Sequence, residues 1–356
     1  MPPSAPRILF VPASGPSGSG EVFRALALAH ALRRIDPESE LHLLISRQAR
    51  IAHDPVAHHH LLDDTPARAG DQAKAVIERL DPALAIFDGS GRTRQLGAVR
   101  RRGGRVVWVS NRPGRRRRAF WPQRMRFIDV HVMVGQPFPH IGRLARALAY
   151  MHRVELITAG AITMPPGTLP PDLAEAVRLR PAVFVAGGGG QVHAGRPVTE
   201  ILHDAAERFQ AETGRPAWVV YGPQHRGTPR PDSAVRTIPA LPSETLAALL
   251  ERAELVVVGA GNMLSNQALL AGRPCVMTAT GGHDQPARLK RLAAAGAVVE
   301  AALDAGTLAD AAIRLAQDRN RRKRLMEGVQ RLALSDDTAR VARMLSALAA
   351  SRAIRS

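Results

Sequence analysis

Three glycine-rich stretches, at residues 14–20, 187–190 and 259–261, each follow a short apolar run and lead into a helical pattern. Glycine at such a junction lets the backbone approach a phosphate, and the free N–H groups and dipole of the next helix favour negative charge there. One such loop is as often a tight turn. Three of them, spread over two halves of one chain, point to a phosphate-bearing ligand. None has the GxxxxGK[ST] spacing, and GxGxxG with an acidic residue about 20 positions on is not cleanly present.

Two carboxylates accompany these loops. Glu21 follows the first, where a glutamate can take the proton of an acceptor hydroxyl as a general base. Its plainer role is an acid favoured in a first helical turn, and the same helix end lowers its pKa and weakens it as a base. Asp88 closes the apolar run LAIF and is the second catalytic candidate beside a turn-capping role.

The stretch NRPGRRRRAFWPQRMRF, residues 111–127, carries Arg115, Arg116, Arg117, Arg118, Phe120 and Trp121. It reads as a solvated loop, or as a dock for anionic lipid headgroups or an acidic acceptor. Single-stranded nucleic acid suits the same composition, but no nucleic-acid module is recognisable. His58, His59 and His60 lack a spaced partner set for a metal. They read as a surface turn, and no metal site is expected.

The frame for these residues is an alternation of short apolar runs and amphipathic patterns, which indicates parallel βαβ units. Strands are expected at 8–11, 41–45, 84–87 and 106–109, then at 183–186, 218–221, 255–258 and 275–278. Helices are expected at 22–35, 72–80, 92–102, 197–212, 244–251 and 266–271. The proline- and glycine-rich segment 163–171 separates two blocks that both open strand–glycine loop–helix, a weak internal repeat. Ser335 is a plausible N-cap for a closing helix with Val341, Met344, Leu345 and Leu348 on one face.

At 356 residues two domains are the default. An apolar content of 45% excludes a mainly disordered chain. The net charge of +18 is nearly all arginine, because Lys74, Lys290 and Lys323 are the only lysines. Charge of that size draws a protein to phosphates and polyanions. The one cysteine, Cys275, fits a buried thiol. No signal peptide or 18-residue apolar span is read, so a cytoplasmic protein is expected, with the inner face of the membrane as a peripheral site.

The segment GPSGSGEVFRALALAHALRR, residues 15–34, resembles the first loop and helix of the GT-B enzymes related to the peptidoglycan glycosyltransferase MurG. It is similar also to the UDP-sugar hydrolase PseG, whose G-x-G-H-x-x-R pattern covers Gly18, Ser19, Gly20 and Arg24, with Glu21 in place of histidine. AELVVVGAGNMLSNQALLAGRPCVM (253–277) resembles that superfamily's donor signature, and GGHDQPARLKRLAAAGAVV (281–299) the element closing its sugar pocket.

The resemblance implies an α/β, GT-B-like fold of two facing Rossmann-like domains with a cleft between them. An acceptor domain (1–162) and the linker (163–171) would precede a donor domain (172–332) and a closing helix (333–356). Gly187, Gly188, Gly189, Gly190 and Gln191 would meet the donor diphosphate. Pro239 and Leu241 would lie against the base, and Gly261 and Asn262 would approach the phosphates. Asp284 and Gln285 would face the sugar. Gln267 stands where the family has a carboxylate for the ribose diol, and an amide there lacks the stronger charge-assisted bond.

The implied activity is metal-independent, inverting transfer of a sugar from a nucleotide donor, a UDP-sugar by resemblance, to an unidentified acceptor that is lipid-linked or acidic. The nucleotide-sugar is a substrate, and no cofactor is implied. A nucleotide-sugar hydrolase or epimerase, and a non-catalytic binding protein, are the alternatives.

Overall fold

The computed structural model describes residues 5–15, 20–49, 51–135, 140–188, 190–225, 227, 230 and 233–353. Its contacts divide into two compact units, Met1–Ile162 with Asp336–Ser356, and Thr163–Ser335.

In the first unit, runs such as ILFV and LAIF are buried on both faces, as strands covered by helices on either side must be. The order is β1 (Arg7–Pro12), α1 (Gly20–Ile35), β2 (Glu40–Ser46), β3 (His58–Leu62), α2 (Gly70–Leu80), β4 (Leu84–Asp88) and α3 (Thr93–Arg101). Then come β5 (Arg105–Ser110), α4 (Pro113–Ala119), α5 (Pro122–Met125), β6 (Val130–Val134), α6 (Arg143–Met151) and β7 (Glu155–Ala159). All seven strands are parallel in the order β3-β2-β1-β4-β5-β6-β7.

The histidine triplet is not a turn. His58, His59 and His60 form most of β3, the edge strand, where His58 pairs in register with His42 of β2. His42 Nδ1 and His60 Nε2 lie 3.1 Å apart. The arginine-rich stretch is not an extended loop either. Pro113 and Pro122 start α4 and α5, positions where a missing N–H costs nothing.

The second unit runs α7 (Pro171–Ala176), β8 (Ala182–Val185), β9 (Val192–His193), β10 (Arg196–Pro197), α8 (Val198–Thr213), β11 (Ala217–Val220), β12 (Arg236–Ile238) and α9 (Ser243–Arg252). It continues with β13 (Leu255–Gly259), α10 (Asn262–Leu270), β14 (Cys275–Thr278), α11 (Gln285–Ala294), β15 (Val299–Glu300), α12 (Ala305–Gln317) and α13 (Arg319–Arg331). Six strands form a parallel sheet in the order β12-β11-β8-β13-β14-β15, and β9 and β10 make a small antiparallel hairpin. Alternate residues feed two cores. Phe184, Val219 and Val257 pack with Leu202, Phe209 and Leu308, while Val183, Trp218 and Val256 pack with Leu249 and Leu269.

The closing helix α14 (Thr338–Ala353) belongs to the first unit and packs against α1. It starts three residues after Ser335, and the Asp336 carboxylate accepts the Thr338 N–H at 2.9 Å. Val341 and Leu345 are buried, and Met344 and Leu348 are partly so. No helix among the described residues is long and apolar enough to cross a membrane.

Candidate functional site

In a parallel α/β sheet a ligand crevice forms beyond the C-terminal strand ends where the strand order reverses. In the first unit that point lies between β1 and β4, and in the second between β8 and β13.

At the first reversal, α1 begins after β1 and places Glu21 in its first turn, while β4 ends on Asp88. The Asp88 carbonyl accepts the Ala13 N–H at 2.8 Å, joining the two strand ends. Arg24, one turn into α1, grips Asp88 with both prongs, Nε to Oδ2 at 2.7 Å and Nη2 to Oδ1 at 2.9 Å. Both side chains are buried. Glu21, also buried, pairs with Arg115 of α4. Arg115 lies across Gly89, where a Cβ would sit 2.1 Å from its Nη1, and Gly89 has a φ of +63°. A side chain at this position would have to displace the arginine, and the positive φ favours glycine.

The two carboxylates are thereby set apart electrostatically. Burial pushes the Glu21 carboxyl up, but Arg115, Arg24 and Arg112 together hold it below the ordinary glutamate value. Burial raises Asp88, and the charge of Glu21 adds to this against the pull of Arg24. One carboxylate that stays ionised beside another with a raised pKa is a pattern found at acid–base sites. Gly20 opens α1, whereas Gly18 and Ser19 lie outside the described residues.

Of the other arginines on α4, Arg117 and Arg118 are exposed and Arg116 is turned inward. Burial, with the charge of Arg116 acting in the same direction, depresses the pKa of His131 to about 3. That histidine is hydrogen-bonded through Nε2 to Ser110 Oγ at 2.8 Å. Phe120 stands edge-on to it with ring centroids 5.2 Å apart, so Phe120 faces the core, whereas Trp121 is exposed. Arg116 Nε, His131 Nδ1, Asn111 Oδ1 and Trp108 Nε1 are buried and find no hydrogen-bond partner among the described residues.

At the second reversal the loop after β8 carries Gly187 (φ +102°), Gly188 and Gly190, and Gly189 lies outside the described residues. The loop after β11 presses on it. A Cβ on Gly222 (φ +91°) would fall 2.3 Å from the Gly187 carbonyl oxygen. The Gln224 N–H donates to the Gly188 carbonyl at 2.8 Å, and the Gly222 N–H to that of Pro239 at 2.8 Å. Pro239 is therefore tied to the glycine loop, while Leu241 packs partly on the core. The Gln191 carbonyl accepts the Val198 N–H at 2.9 Å, and its side-chain Oε1 is buried without a partner among the described residues.

After β13, Gly261 caps α10 and Asn262 is its first residue. A Cβ on Gly261 would meet nothing within 4 Å among the described residues, which leaves space for an anion before the amides of α10. Gln285 is turned inward. Its Oε1 accepts the Thr280 N–H at 2.6 Å, which fixes the loop after β14. Asp284 pairs with Arg288, whose Nη1 donates to the Ala260 carbonyl at 2.8 Å. Gln267 is buried and donates to the Ser243 carbonyl at 3.3 Å.

The structure thus gathers Gly187, Gly188, Gly190, Gln191, Gly261 and Asn262 at one sheet end, with Pro239, Asp284 and Gln285 linked through the bordering loops. Sequence reading missed Gly222, Gln224 and Arg288. Gly222 follows an apolar run in the same way as the three glycine loops, and that signal marks it. Arg288 lies four residues beyond Asp284, the spacing of a helical ion pair.

No protein-family model and no curated protein matches the chain. Solved structures match it over nearly its whole length. The spinosyn forosaminyltransferase SpnP is 16% identical with a TM-score of 0.66, covering 97% of this chain and 100% of that one. A UDP-glucosyltransferase from Polygonum tinctorium capable of glucosylating indoxyl is 11% identical with a TM-score of 0.66, covering 98% and 99%. MurG of Acinetobacter baumannii is 15% identical with a TM-score of 0.61, covering 96% and 99%.

Proposed function

For a chain with the GT-B fold, we propose that it transfers a sugar from a nucleoside-diphosphate donor, a UDP-sugar, to a hydroxyl acceptor with inversion. The observation that carries this reading is the open amide end of α10 beside the glycine loop after β8, both at the reversal point of the second sheet. Backbone N–H groups fixed there stabilise the charge that grows on a departing diphosphate, without reorganisation during the reaction. Asp284 borders the sugar, with Gln285 holding the loop behind it through Thr280, and Pro239 and Leu241 border the base. Two structural neighbours are named as a forosaminyltransferase and a UDP-glucosyltransferase, which supports donor chemistry of this class.

The proton of the acceptor hydroxyl goes to Glu21. In the substrate-free protein its ion pair with Arg115 keeps it ionised and attenuates its basicity. An anionic group on the acceptor that draws Arg115 away frees the carboxylate to accept the proton. Arg117, Arg118 and Trp121 are the exposed groups beside it for an acidic or lipid-linked acceptor.

A second reading, donor binding without turnover, is favoured by one observation: both candidate carboxylates are already held by arginines. The test that separates the two is incubation with a panel of nucleotide-sugars and phosphorylated acceptors. Diphosphate release that depends on an acceptor supports transfer. Release of free sugar into water indicates hydrolysis, and binding without release under any pairing supports the second reading.

A further inference from the structure

Three strands of the second sheet are entered through an Arg-Pro pair: Arg180-Pro181 before β8, Arg215-Pro216 before β11 and Arg273-Pro274 before β14. The proline carbonyls are drawn into the ladder. Ala182 N–H donates to Pro216 at 2.9 Å, Glu254 N–H to Pro181 at 3.0 Å, and Val256 N–H to Pro274 at 2.9 Å. These bonds fix each preceding arginine at the N-terminal edge of the sheet, opposite the glycine loops. Glu254, which enters β13, is the carboxylate at this edge that pairs with one of them. It is paired with Arg215 and lies 3.9 Å from Arg322.

Arg180 and Arg273 are left facing Arg319 and Lys323 of α13 across a cavity of about 470 Å³, with Arg322 and Glu254 also in its wall. None of Arg180, Arg273, Arg319 and Lys323 has a carboxylate within ion-pair distance among the described residues. Two of the guanidiniums are held in place by main-chain carbonyls, Arg273 Nε on Glu251 at 2.6 Å and Arg322 Nη1 on Leu315 at 3.1 Å. Burial and, after it, the nearby charge of Arg180 lower the pKa of Arg273 against the opposing charge of Glu251.

We infer that this cavity is a binding site for a compact anion carrying two or more phosphate groups. Charge, pre-positioned guanidiniums and concavity all favour such a ligand, because arginine forks match phosphate oxygens bidentately. Among the described residues the wall offers no aromatic ring for a base to stack on. Recognition therefore falls on the phosphate chain, whether free or carried by a nucleotide. The site lies at the other end of the sheet from the proposed donor loops and does not rest on sugar transfer.

Tripolyphosphate titrated calorimetrically into the full chain tests it. The double variant Arg319→Glu/Lys323→Glu, both at exposed positions, is expected to bind at least tenfold more weakly, whereas the charge-matched Arg34→Glu/Arg143→Glu at exposed positions of the first unit leaves the affinity unchanged. Should the reversal variant not fold, Arg319→Gln/Lys323→Gln is expected to weaken binding severalfold. Unchanged affinity in the folded double variant overturns the proposal. So does inorganic phosphate binding as tightly as tripolyphosphate, or a single-stranded oligonucleotide displacing tripolyphosphate at lower concentration, which would make the cavity part of a nucleic-acid surface. ATP and tripolyphosphate with equal affinities support it with the bare chain as ligand, and tighter ATP supports it with a nucleotide as carrier.

Discussion

Glu21 and Asp88 differ in what surrounds them more than in what they are. Glu21→Gln keeps the volume and removes the base, so kcat should fall by about 10²–10⁴ while the melting curve stays cooperative. With Arg115 in place, the acidic limb of kcat/KM should lie below the ordinary glutamate value of 4.5. Arg115→Ala leaves burial as the dominant influence and should move that limb upward, which a pH–rate profile reads directly. Arg24→Ala strands the Asp88 carboxylate in the interior, and loss of one partner of a buried pair costs about 3–5 kcal/mol in denaturant unfolding. His131 gives the protein a further pH signature. Its folded pKa of about 3 lies below the unfolded value of 6.5. Stability is therefore whole above pH 6.5 and falls as pH drops toward 3, with a slope approaching 1.4 kcal/mol per pH unit from this residue. His131→Gln should flatten that slope in urea titrations repeated across the range. Glu21 was legible as a candidate because it follows a glycine loop. Its tie to Arg115 was not, since 94 residues separate the pair and only the strand order brings them together.

Among the elements, the glycine loops are held by contacts that no side chain tolerates. Gly222→Ala forces a Cβ toward the Gly187 carbonyl at a positive φ. It should cost at least about 2 kcal/mol in stability. It should also weaken nucleoside-diphosphate binding tenfold or more, read by calorimetry on the folded variant. The apolar runs buried on both faces, β1, β2, β4, β5, β8, β11, β13 and β14, were plain in the sequence because burial leaves no alternation to interpret. Several elements escaped, among them β6, β7, α12 and α13, and three cases show why. Three of the five residues of β3 are histidine, and its strand character comes from pairing with β2 at the sheet edge. α4 and α5 are arginine-rich helices whose apolar contribution is little more than Ala119, Phe120 and Met125. α10 starts at Asn262 rather than 266, because the chain turns helical directly after Gly261.

For the molecule as a whole, the two sheets with reversed strand orders and the likeness to SpnP and MurG establish a GT-B fold at 15–16% identity. Identity that low leaves the donor and acceptor to be found by experiment. The open end of α10 and the loops at the β8–β13 reversal carry the central claim of a nucleotide-sugar donor site. The most direct test is thermal unfolding of the full chain with UDP, GDP, dTDP, CDP, ADP and inorganic phosphate, run in the Arg319→Glu/Lys323→Glu background to silence the basic cavity. A ligand bound only by the folded state stabilises by RT ln(1 + [L]/Kd), about 2.7 kcal/mol at a hundredfold excess over Kd. The account predicts a selective rise in melting temperature with UDP that is lost in Gly222→Ala. No rise beyond that given by phosphate, with any nucleotide, would contradict it.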